Sequence, residues 1–200
     1  MTAAASALPE TAGTVLEFWF GPPDDPGHRL PREHWFRKDP AFDQQVRERF
    51  GSMIDAALAG QLRHWSVEPE GALAQVIVLD QFTRNAFRGT ARAFAGDPLA
   101  LAAARAMVET GQDRLLTGVQ RQFVYLPFEH AEDLAAQQQA LQLFTRLAEE
   151  EPARADLVRW AQAHHDVVAR FGRFPHRNAV LARPSTPEEK AFLKTPGSSF

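Results

Sequence analysis

The chain has 200 residues, 44% of them hydrophobic and 24% charged, with a formal net charge of −3; this is the profile of one soluble domain with room for a sizeable core. It has no cysteine, which excludes disulfides, thiolate nucleophiles and cysteine-ligated zinc or iron–sulfur centres. So mild a charge offers no field for nucleic acid or an anionic membrane, and no run approaches the roughly 18 apolar residues of a membrane span. The opening MTAAASALPETAG has no signal-peptide pattern, so a cytoplasmic protein without nucleic-acid or membrane partners is expected.

In chain order, Thr11 caps and Gly21 stops a first apolar helix. The PPDDPGHRLP stretch is a loop by its Pro and Gly content. Asp39 as N-cap and Pro40 at the first helical position open the next helix. Its Phe42, Val46, Phe50, Ile54 and Leu58 recur every four residues, which is one helical face. EPEGALAQVIVLDQFTRNAFRG is apolar nearly all round from Val76 to Leu79, as a central helix is. Asp97 reads as a cap before Pro98, with Gly111 as the stop. Pro127 is expected to divide the following segment into two helices. Pro152 then opens a helix that Gly172 closes, and Thr186 with Glu189 forms a capping box around Pro187. No hairpin turn or strand alternation appears.

The expected fold is therefore all-α, with about eight or nine helices by usual helix and loop lengths. Short connections favour stacked antiparallel hairpins. One domain spans 1–200, with 11–195 as its core and loose tails, unless Phe200 docks.

Polar residues interrupt the apolar faces in three places. On the central helix, Leu73 and Ile77 are followed on the same line by Asp80 or Gln81, Arg84 and Arg88. This is either an internal ion pair between Asp80 and Arg84 or an anion-binding floor of Arg84 and Arg88 with Asp80 orienting Arg84. The second place is YLPFEHAEDLAAQ. Glu132 and Asp133 suit a helix start, while Glu129, His130 and Asp133 stand at spacings that let a histidine and a carboxylate share a face. The third is WAQAHHDVVARFGRFPHRN, where His164 lies inside the stripe of Leu157, Trp160, Ala161, Val168 and Phe171, and His165 has Asp166 beside it. Beyond Gly172, Arg173, His176 and Arg177 gather on a turn with Asn178. Arg170 suits the helix dipole; Arg173, His176 and Arg177 have no such evident role in folding.

No Gly-rich phosphate loop, serine elbow or zinc-protease motif occurs. The paired Glu-x-x-His of carboxylate-bridged metal bundles is missing too, so no metal or cofactor is assigned.

VLEFWFG, LDQFTRNAFRGTARAFAGDPLAL, YLPFEHAEDLAAQQ and HHDVVARFGRFPHRNAVLARPSTPEEKAFL together resemble a bacterial family known as domain of unknown function 924. The resemblance runs from Val15 to Leu193. It implies an all-helical, tetratricopeptide-like right-handed superhelix, and it implies no established activity, substrate or catalytic residue. The chain departs from the family pattern at Thr83, where proline is usual, at Ala131, where serine is common, and at Ala182, where glycine is common. The change at Ala131 is expected to remove a helix cap.

Three functional readings follow. In the first, a pocket binds an anionic small molecule or a peptide carboxylate through Arg84, Arg88, Arg173 and Arg177, with Gln81 and Asn178 orienting it. In the second, an enzyme uses His130 with Glu129 or Asp133, or His164 with His165, as acid–base pair or metal ligands. In the third, a scaffold uses the same polar residues only to lock helices together.

Overall fold

The computed structural model describes residues 11–28 and 30–198. It is all-helical, with no strand among those residues. Eight α-helices are present there: α1 Ala12–Phe20, α2 Pro40–Leu58, α3, α4 Asp97–Thr110, α5 Gly118–His130, α6 Leu134–Glu150, α7 Ala155–Phe171 and α8 Pro187–Phe192. Helix α3 runs as Pro69–Ile77, passes through a π turn at Val78–Phe82 and ends as Thr83–Ala86. No helix among the described residues is long and apolar enough to cross a membrane. The N-terminal tail over 1–10 and Phe200 lie outside the described residues.

Local chemistry sets most of the ends. Thr11 and Thr186 make capping boxes, and Asp39 accepts from the Ala41 and Phe42 amides at 3.0 and 3.1 Å. Gly111 and Gly172 close α4 and α7 in the left-handed region, at φ of 75° and 70°.

Helix α3 is the axis of the molecule and packs on α1, α2, α4 and α5. Its residues from Ala72 to Phe82 are all buried, so an amphipathic stripe would not have sufficed. Aromatic rings fill the space around it. Trp19 meets Phe82, Phe123 and Trp35 with ring centroids 5.7, 5.5 and 6.1 Å apart, the offset and edge-on distances such rings prefer. Helix α4 crosses so closely that a Cβ on Gly96 would lie 2.0 Å from the Leu79 carbonyl oxygen. Helices α6 and α7 form a hairpin across the short turn Pro152–Arg154.

Four local expectations are corrected. Pro127 does not end a helix: α5 continues through it to His130. Burial of every residue from Gly118 to Glu129 holds the helix where proline removes one hydrogen bond. The break comes three residues later, where Asp133 caps α6 by accepting from the Ala136 amide at 2.8 Å. Ala131 therefore costs α6 no cap. Asp97 is the first helical residue, not the cap, and its carboxylate is turned to arginines. Pro152 opens a single 3₁₀ turn, and α7 begins at Ala155.

The other two family departures have visible consequences. Ala182 has φ of 52°, the one positive value among described non-glycine residues, which explains why glycine suits that position. Thr83 closes the π turn, its hydroxyl donating to the carbonyls of Leu79 and Asp80; proline would supply neither bond.

After α7 the chain wraps back over α5. The Phe174 amide donates to Glu132 Oε1 at 2.7 Å. Arg183 closes a two-nitrogen bridge on the same carboxylate. Arg173 does likewise with Glu189, at 2.6 and 2.9 Å. These ties seat the turn Pro175–Arg177 against the helices.

Candidate functional site

A cleft of about 580 Å³ opens between α3, α5, α7, the segment Trp35–Arg37 and the turn Pro175–Arg177. This is the size range of small-molecule sites. One side is apolar, with Trp35, Phe36, Leu126, Leu157 and Trp160. The other is polar, with Gln81, Arg84, Asn85, Arg88, Gln122, Glu129, His130, His164, His176 and Arg177. Phe36 and Trp160 are 65% and 53% exposed, unusual for aromatics and placed where a ligand would cover them.

The polar side is built on the π turn of α3, a deviation common at functional sites. Asp80 lies behind the cleft wall, 1% exposed. It accepts from His130 Nδ1 at 2.7 Å, Gln81 Nε2 at 2.6 Å and Arg84 Nε at 3.3 Å. Arg84 also donates to Asp97 Oδ1 at 2.8 Å, and Arg177 donates to Asp97 Oδ2 at 3.1 Å and to the His130 carbonyl at 3.0 Å. Both guanidiniums lie over the Phe94 ring, at 5.3 and 4.6 Å. Arg88 grips Asp43 of α2 with Nε and one terminal nitrogen, at 2.6 and 2.9 Å, and Asn85 donates to the same carboxylate. Arg84 thus lines the cleft while Asp80, one turn before it on α3, holds it from behind and Asp97 ties it to the start of α4.

Protonation follows from burial and neighbours. Burial pushes the Asp80 carboxyl up, but His130 and Arg84 beside it outweigh that and hold it ionised. Burial, aided by Arg84, lowers His130. Burial also lowers His164 to about 3 and His176 to about 4. The three imidazoles are therefore neutral at pH 7. Arg177 is lowered to about 10 by burial and by Arg84 and stays charged.

Glu129 is the exception among the carboxylates at the cleft. It is 4% exposed and, among the described residues, no arginine or lysine pairs with it. Its neighbour is His164, whose Nδ1 lies 3.0 Å from Oε1. That nitrogen also lies 2.9 Å from the Trp160 carbonyl, which can only accept, so Nδ1 carries the proton. Burial first, and then the Asp80 charge, raise the Glu129 carboxyl to about 8. It is a neutral acid at pH 7.

The family described as bacterial protein of unknown function, DUF924, matches residues 15–197. The chain belongs to this family. A solved structure of a protein of unknown function from Agrobacterium tumefaciens is 41% identical, covers 92% of this chain and 96% of its own, and superposes with a TM-score of 0.80. No curated protein matches the chain.

In this DUF924 protein the cleft gathers eight of the sequence candidates: Gln81, Arg84, Arg88, Glu129, His130, His164, His176 and Arg177. Asp80 stands directly behind them. Four candidates lie elsewhere. Asp133 caps α6. His165 turns away toward Asp166, at 3.2 Å. Arg173 is committed to Glu189, so it does have a folding role. Asn178 donates to Ser185 and Glu189 and accepts from Arg183. His130 thus meets Asp80 rather than Asp133, and His164 meets Glu129 rather than His165.

Trp35, Phe36, Gln122 and Asp97 are not among the sequence candidates. The first two carry a faint signal, adjacent aromatics in a Pro-rich loop. Gln122 is a polar residue on a helix buried all round. Asp97 sits in a Gly-Asp-Pro run that satisfies a cap pattern, and nothing local reveals its partners 13 and 80 residues away.

Proposed function

We propose that the protein is a small-molecule-binding protein whose cleft takes an anion, a carboxylate by preference, joined to an apolar body. One observation carries the reading: Arg84, Arg88 and Arg177 converge on one cleft with donors still unused. Arg84 and Arg88 each engage Nε and one terminal nitrogen, and their second terminal nitrogens have no partner among the described residues. Arg177 engages both terminal nitrogens and its Nε is fully buried without a hydrogen-bond partner, so it adds positive charge to the cleft while Arg84 and Arg88 hold the open N–H groups. A guanidinium carries five N–H donors in a plane, so its counter-charge can hold one edge while another meets a ligand carboxylate. The apolar wall favours a ligand with a hydrocarbon or aromatic part.

Trp35 and Trp160 line the cleft, so intrinsic fluorescence reports occupancy. Titration with a panel of apolar carboxylates, N-acetyl amino acids, amino acids and dipeptides should give saturable quenching with at least one class. Arg88 is the most exposed of the three arginines. Arg88→Gln should weaken binding at least about tenfold, the loss of one charge-assisted bond, with unchanged helical circular dichroism. A wild-type protein that binds no member of the panel refutes the reading.

A second reading, an acid–base enzyme, is favoured by the Asp80–His130 pair, since a buried carboxylate on Nδ1 leaves Nε2 as the working nitrogen. Turnover of a bound panel compound that His130→Gln abolishes without loss of binding would establish it.

A further inference from the structure

We infer that the ligand is a zwitterion: an amino acid or dipeptide with an apolar side chain, its carboxylate on the arginines and its ammonium on Glu129. This deepens the carboxylate-binding reading above and rests on it.

The inference starts from what Glu129 lacks. The other buried or half-buried carboxylates near the cleft each have a cation: Asp80 has Arg84, Asp97 has Arg84 and Arg177, and Asp43 has Arg88. Each pairing joins separate parts of the chain or one helix turn to the next, and so has a structural use. Among the described residues Glu129 pairs with no arginine or lysine, and its partner His164 is a neutral imidazole. It lines the cleft from α5, buried, with an imidazole as its nearest partner. An unpaired buried carboxyl costs folding free energy that glutamine or leucine would not. Such groups mark sites where a ligand supplies the missing partner. The partner that suits a carboxyl is a cation, and the arginines on the same cleft ask for an anion. A single small molecule with both charges is a zwitterion. The apolar wall of Trp35, Leu126 and Trp160 then takes its side chain.

An ammonium beside Glu129 should expel its proton, because the opposite charge stabilises the carboxylate. The groups around it are His130 beside it on α5, Asp80 and Arg84 of α3, His164 of α7, and His176 and Arg177 of the wrapped segment. His164 and His176 titrate far below neutrality, burial and Arg84 hold His130 below its ordinary value, and the acid and arginines keep their charges. Between pH 6 and 7 Glu129 is thus the group whose proton is at stake.

The test is calorimetric titration of the full chain and of Glu129→Gln with L-leucine, L-phenylalanine, leucyl-leucine and their N-acetyl forms, at pH 6 and 7, in two buffers of different ionisation enthalpy. The amide replaces a carboxyl that is neutral at pH 7, so the variant should fold. At least one free-amine ligand should bind about tenfold or more tighter than its N-acetyl form, the worth of one charge-assisted contact. Its affinity should rise about tenfold from pH 6 to 7 with release of close to one proton, as linkage to a group titrating near 8 requires. Glu129→Gln should abolish both the preference for the amine and the pH dependence. N-acetyl forms that bind as tightly as the free amines overturn the zwitterion and leave the carboxylate reading standing. Binding of free amines without proton release also overturns it. Failure of every ligand to bind overturns both.

Discussion

Replacing Glu129 by glutamine should stabilise the protein, increasingly so as pH rises. In the folded chain this carboxyl titrates near about 8, against an ordinary value of 4.5. Below 4.5 both states hold the proton and the group has no effect. Between the two values the folded state keeps a proton that the unfolded state has lost, so stability falls by about 1.4 kcal/mol per pH unit. Above 8 the folded carboxyl ionises as well and the penalty levels off. The accumulated cost is under about 1 kcal/mol at pH 5, about 3 kcal/mol at pH 7 and about 5 kcal/mol at pH 9. The amide is neutral throughout and similar in shape, so the variant escapes this cost. Urea unfolding of both proteins at the three pH values measures it, as the difference in free energy extrapolated to water. A gap of equal size at all three, or one largest at pH 5, would show that the carboxyl is not held neutral by its burial.

Two further outcomes are expected. Asp97→Asn leaves the buried Arg177 without its paired carboxylate and the half-buried Arg84 with Asp80 alone, and should cost about 3–5 kcal/mol by urea unfolding; a loss near 1 kcal/mol, the usual worth of a helix cap, would mean that the bridge to the two arginines does little. Ala182→Gly relieves a left-handed residue and should add about 0.5–1 kcal/mol, a rise of about 2 °C in Tm; an unchanged or lower Tm would count against strain at that position.

Local signals account for much of the architecture. A capping side chain, a proline at the first turn or a glycine at the last acts within four residues, so Thr11, Asp39, Gly111, Gly172 and the Thr186–Glu189 box show helix ends directly in the sequence. The all-round apolar run from Val76 to Leu79 likewise marks α3 as central, because only a helix covered on every side tolerates it. The interruption of an apolar face by Arg84, Glu129 or His164 is visible for the same reason: periodicity predicts burial, and a polar group there stands out.

Which of these polar groups meet is a different matter. Pro127 shows that burial from outside the helix overrides a local breaker. Arg173 and Arg177 sit four residues apart with the same chemistry. One is bound to Glu189, which comes later in the chain, and the other reaches Asp97 across 80 residues. No property of either arginine distinguishes them beforehand. Asp97 matches a cap in sequence and serves as a counter-ion in space. Glu129 differs from the paired carboxylates in that, among the described residues, no arginine or lysine lies within pairing distance of it, and this depends on how α3, α5, α7 and the wrapped segment pack. Propensity and periodicity are local, so the helices and the misplaced polar residues can be read along the chain. Charge pairing and burial depend on distances between segments remote in sequence, so packing alone sets which of those residues face one cleft.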